Sequence, residues 1–143
     1  MTHAQAFQDF YLTKTGSYYR DNRNYSYDFT NKRNTTSLLS PYIRYRLLSE
    51  EDIIKKTLSI NSFSKTEKFI QEIYWRTYWK GWLEHRPDVY DDYLMQRNEL
   101  LKNLSNTTNY KKTIEGETFL PFFNDWVKKL KKDGYLHNHI RMW

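Results

Sequence analysis

The sequence predicts an all-α, multi-helical protein. Three observations lead there. Residues 67–83, EKFIQEIYWRTYWKGWL, keep helical spacing, and no proline follows until Pro87. Serines and an aspartate stand ahead of several apolar runs, where helix caps belong. Only 4 glycines and 3 prolines occur in 143 residues, too few for a β-rich or linker-rich chain.

The run 67–83 is the expected central helix. Ser64 stands as its N-cap and Glu67 as the N3 residue of a capping box. Phe69, Ile70, Ile73 and Tyr74 share one face, the expected core face. Gln71, Trp75, Tyr78, Trp79 and Trp82 form a second stripe. Glu72, Arg76 and Lys80 lie four apart between the stripes, and Glu72 is correctly N-terminal to Arg76 for a helical ion pair. A core helix needs only one apolar stripe. The second leaves two readings: a large core helix with solvated charges, or the wall of a site for a flat aromatic ligand, with Glu72 and Arg76 as polar contacts.

Ahead of this helix, residues 4–14 predict a short helix through Ala6, Phe7, Phe10 and Tyr11, ended by Gly16. Residues 17–34 are polar and tyrosine-rich, without a period. Tyr18, Tyr19, Tyr25, Tyr27 and Phe29 are costly to leave in water, so an ordered loop is expected, with a disordered lead-in as the alternative. Ser40 before Pro41 reads as a cap followed by proline at N1, opening a helix over 42–48. The hydroxyls of Thr36, Ser37 and Ser40 gather at that N-terminus. Free N–H groups and the macrodipole suit a phosphate there; plain capping is the competing use.

Ser49 with Asp52 makes a further capping box for a helix over 50–58. Asp88 caps an expected helix over 89–101, and residues 105–110 read as loop. Pro121 opens the last clear helix, with Phe122, Phe123, Trp126, Val127 and Leu130 as its stripe. Lys128, Lys129, Lys131 and Lys132 crowd its end, where cations suit the dipole, and Gly134 is a C′ glycine. No internal repeat or second domain is visible, so a single domain over 1–143 is expected.

Aromatics make up 18% of the chain and the net charge is +6. Basic residues set among aromatics favour an anionic partner, nucleic acid before membrane; a solvated basic surface is the bland alternative. The absence of cysteine excludes disulfides and thiolate metal sites. No signal peptide is visible in the first residues, and no apolar run approaches the ~20 residues of a membrane span. A soluble cytoplasmic protein is expected. His137 and His139, two apart, do not share a helix face, and no metal site is expected.

Three segments, in order, resemble the flavin-binding half of the photolyase/cryptochrome family. They are TSLLSPYIRYRLLSEED (36–52), EKFIQEIYWRTYWKGWLEHRP (67–87) and FNDWVKKLKKDGYLHNHIRMW (123–143). The likeness runs from about Tyr19 onward. It implies an all-helical FAD-binding domain. Thr36, Ser37, Leu39 and Ser40 match the family's Thr-Ser-x-Leu-Ser segment, which holds the FAD phosphates. Tyr19, with Arg23 one turn on, is similar to an upstream phosphate-contacting tyrosine. Glu72, Trp75 and Arg76 match Glu-x-x-Trp-Arg: a glutamate near the lesion, a tryptophan packed on a flipped pyrimidine dimer, and an arginine by the flavin. Asn138 matches the asparagine beside flavin and lesion, and Arg141 an arginine paired with a later aspartate.

By the same resemblance, FAD is the cofactor and dimer-containing DNA the partner, met by Glu72, Trp75, Trp79 and His137. Glu72, Trp75 and Asn138 would carry the catalytic roles. The implied activity is light-driven dimer repair by a carbon–carbon lyase. A cryptochrome-type photoreceptor without repair activity is one alternative. A non-flavin single-strand binder stacking bases on Trp75, Trp79 and Trp82 is another. The family's later helices and its antenna domain have no counterpart here. The chain therefore reads as the first part of that domain, belonging to a longer protein, or else needing a partner chain to complete the pocket. Alone, it is expected not to repair DNA efficiently.

Overall fold

A computed structural model describes residues 2–12, 14–25 and 35–143, with His3, Ala6, Phe7, Phe10 and Tyr11 described by backbone alone. Every regular element among the described residues is a helix. In order they are α1 (His3–Leu12), α2 (Ser17–Asn22), α3 (Ser40–Arg44), α4 (Glu50–Ile60), α5 (Phe63–Glu84), α6 (Asp88–Leu104), α7 (Thr108–Glu115), α8 (Pro121–Asp133) and α9 (Asn138–Met142). The chain divides into two compact units, Met1–Lys80 and Gly81–Trp143.

The first unit has a continuous core. Leu12, Tyr19, Leu39, Ile43, Leu48, Ile53, Phe69 and Ile73 form one buried cluster, with Ala4, Tyr42 and Ile54 packed against it. All five helices of the unit contribute to it. Lys56 on α4 also pairs with Asp9 on α1, 3.4 Å apart. The expected apolar residues of α1, Ala6, Phe7, Phe10 and Tyr11, lie outside the described side chains, as do Tyr27 and Phe29 in residues 26–34.

Several local expectations are corrected. The loop expected from Ser17 is instead the short helix α2, because burying Tyr19 edge-on to Phe69 repays its ordering. Gly16 does not end α1, which stops at Leu12; it lies buried before α2, where a Cβ would come 3.2 Å from Asn61 Oδ1. Ser40 is the first residue of α3, and Leu39 takes the cap position without a side-chain bond. That helix ends at Arg44, not Leu48. Arg46 turns left-handed at φ 58°, and the Leu47 N–H donates back to Tyr42 O at 2.9 Å. The turn buries Leu48 and lets α4 start at once.

The Ser49 cap is as expected: its Oγ accepts from the Asp52 N–H at 3.0 Å. In α5 the start lies one residue before the expected cap, so Ser64 is inside the helix; Ser62 O accepts from Lys65 N–H and Thr66 Oγ1. Glu67 accepts from the Gln71 amide. Thr66, Phe69, Ile70 and Ile73 form the buried face. Tyr74, expected there, is 60% exposed; the buried stripe is narrower than the sequence suggests.

In the second unit, α6 starts at Asp88 with Pro87 as its cap residue, so Asp88 sits in the acidic first turn and does not cap. Part of the loop expected over 105–110 is α7. Its cap is Thr107, whose Oγ1 accepts from the Tyr110 N–H, and it ends at Gly116 with φ 72°. The last long helix, α8, matches expectation, with Gly134 left-handed at its end. Asn124 braces its entry: Oδ1 accepts from the Thr118 N–H at 2.9 Å and Nδ2 donates to Thr118 O at 2.8 Å. The helices α6, α7 and α8 carry no buried residue. Among the described residues no helix is long and apolar enough to cross a membrane, and no group of three or more His, Cys, Asp or Glu is placed to hold a metal.

Candidate functional site

The central helix α5 has two working faces. Phe69 and Ile73 face the core shared with Tyr19 and Leu39. The other side opens to solvent and carries the second aromatic stripe. Trp75 is 51% and Trp79 50% exposed. Their rings stack with centroids 6.3 Å apart and 23° between planes. Tyr78 stands edge-on to both, at 5.6 Å and 5.3 Å. The three rings form a patterned aromatic surface of the kind a planar ligand can stack on.

The expected Glu72–Arg76 helical pair is not formed. Glu72 pairs with Arg23, which follows α2, at 3.8 Å. Arg76 pairs with Glu50, the first residue of α4, at 3.6 Å. Helical spacing allows the local pair, but opposite charges on neighbouring elements come within reach from the side and take both groups. Each polar side chain beside Trp75 is thus tied to a different element. Spacing could not reveal Glu50, because its contact joins residues distant in the chain.

The hydroxyl segment lies against the same core. Thr35 is buried, with Oγ1 donating to Tyr25 O at 2.8 Å. Thr36 and Ser37 are half-buried, Leu39 is 1% exposed and Ser40 is exposed. Ser37 Oγ accepts weakly from the Leu39 N–H at 3.4 Å. Leu38 between them is left-handed, φ 55°. Tyr19 and Leu39 are anchors here, buried beneath a run whose hydroxyls at 36, 37 and 40 stay nearer the surface. No carboxylate occurs within residues 35–40, so the donor set suits an anion.

The remaining expected residues sit in the second unit, near the end of the described chain. His137 is the cap of α9, with Nδ1 accepting from the His139 N–H at 3.3 Å. Asn138 is exposed, and its Oδ1 accepts from Arg141 Nη2 at 3.4 Å. Arg141 therefore has an amide for a neighbour where the resemblance implied an aspartate.

No family model matches the chain, and no solved structure matches it. Over 108 residues it is 29% identical to the deoxyribodipyrimidine photo-lyase of Alkalihalophilus pseudofirmus. The match covers 75% of this chain and 22% of that protein, so the chain spans under a quarter of its relative's length. The similarity supports a photolyase-family relationship.

Proposed function

We propose that the chain is a segment of a photolyase-like flavoprotein that repairs pyrimidine dimers in DNA by light. The observation that carries the reading is the double use of α5. Its buried face packs with Leu39 and Tyr19, beside the hydroxyl segment, while its open side carries Glu72, Trp75 and Arg76. One helix thus backs the hydroxyl segment with its buried face and presents the aromatic stripe on its open side.

The residues present fit FAD. Thr36, Ser37 and Ser40 would hold its phosphates with hydroxyl and backbone donors, over the buried Leu39 and Tyr19. Arg76 would lie by the flavin, with Asn138 and Arg141 as further contacts carried by the resemblance alone. When bound in its reduced form, the flavin supplies the photoexcited electron that splits the dimer's cyclobutane ring. On the DNA side, Trp75 offers a stacking platform for a flipped dimer, extended by Trp79. Glu72 meets the dimer's polar edge, and His137 contacts the strand. A partner chain, or the rest of a longer protein, would complete the pocket.

Two measurements test this reading. Together with the chain that completes the pocket, the protein should carry flavin, read from visible absorbance and from released FAD. Trp75→Ala should lower affinity for dimer-containing DNA more than for intact DNA, by about 5- to 150-fold for a lost stacking contact. Equal losses on damaged and intact DNA would remove the dimer platform and leave general base stacking.

A further inference from the structure

Glu50 opens α4 beside two other acidic residues, Glu51 and Asp52. Those two make local contacts: Glu51 pairs with Lys55 one turn on, and Asp52 accepts from Ser49 Oγ. Glu50 is the one of the three that reaches another helix. One carboxylate oxygen accepts from Arg46 Nη1 at 3.2 Å, and the other stands 3.6 Å from Arg76 Nε. Its side chain is 22% exposed, so the contact is partly shielded from water, where charge keeps more of its strength. The approach to Arg76 is longer than a hydrogen bond. It holds by charge and leaves the guanidinium's N–H donors to a ligand.

Arginine is a long side chain with much rotamer freedom to lose. Four residues before Arg76 stands Glu72, the local partner that helical spacing offers. Were that pair made, the two polar groups beside Trp75 would neutralise one another. Instead Arg23 takes Glu72 and Glu50 takes Arg76.

We propose that Glu50 is a positioning residue for Arg76: its carboxylate, braced by Arg46, draws the guanidinium away from Glu72 and holds it oriented for the flavin. The inference rests on the reading of Arg76 as a flavin contact. It therefore needs one readout that requires no flavin.

The experiment uses the whole chain with Glu50→Gln, Arg76→Ala and the double variant. NMR relaxation of the Arg76 Nε–H group is the first readout. Glu50→Gln should raise the mobility of that group; unchanged order at Arg76 overturns the proposal. The dissociation constant for FAD is the second. Glu50→Gln should weaken it about three- to fivefold, the scale of a partly exposed ion pair. Adding Glu50→Gln to Arg76→Ala should cost nothing further. Additive losses, or a lower Tm with unaltered FAD affinity, overturn positioning. A parent chain that binds no FAD would overturn the flavin reading instead, and the relaxation result alone would then decide the role of Glu50.

Discussion

Ile53 has no exposed surface and sits in the cluster that joins α4 to Tyr19, Leu39 and Phe69. Ile53→Ala removes buried methylenes and leaves a cavity that the five-helix packing cannot fully close. The expected loss is about 2–5 kcal/mol, read as a lower urea midpoint with an unchanged slope. A loss of only a few tenths would mean the unit is loosely packed there. Asp133 shows a different residue-scale effect. The hydrogen bond from Lys129 holds its carboxyl below the ordinary aspartate value, aided by the charges of Lys129 and Lys132, with desolvation opposing. The folded value is depressed, so the pair's contribution is full above the unfolded aspartate pKa. It is lost as pH falls through the folded value. Asp133→Asn should flatten stability across that acid window and leave the slope near neutral pH unchanged.

At the scale of elements, two helices end on left-handed glycines, but the glycines are not equivalent. A Cβ at Gly134 would meet open space, whereas one at Gly116 would come 3.0 Å from Asn124 O and 3.1 Å from Val127 Cβ. Gly134→Ala should therefore cost about 1–2 kcal/mol, the conformational term alone. Gly116→Ala should cost clearly more, because α8 backbone cannot yield as a flexible side chain does. Chemical denaturation of the two variants side by side checks this, and equal losses would show that α7 and α8 do not approach so closely in solution.

Across the whole molecule, the net charge of +6 bears on any nucleic-acid partner. Neutralising phosphates with Lys and Arg releases counterions, so affinity for DNA should fall linearly on a log–log plot as salt rises from about 50 to 200 mM. Fluorescence anisotropy with a labelled oligonucleotide measures the slope. A flat response would mean that aromatic stacking, and not charge, carries the binding. Large apolar side chains on α6 and α8, among them Tyr90, Tyr93, Leu100 and Phe122, are exposed.

The sequence by itself determined the helical class, the span of α8, the Ser49 cap and most of the buried face of α5. Those features are local: a cap, a left-handed glycine or a 3.6-residue stripe is written within a few neighbouring positions. It also carried Glu72, Trp75 and Arg76 onto one helix, since spacing alone sets that. The α7 cap and its closing glycine were present as well, though Asn106 and Asn109 made the stretch resemble loop. Tertiary structure decided what spacing cannot encode. Tyr19 becomes a core residue and α2 a helix because Phe69, fifty positions later in the chain, supplies the surface to bury against. Glu72 and Arg76 part company because Arg23 and Glu50 arrive from other elements, and charge pairs with whichever opposite charge packing brings nearest.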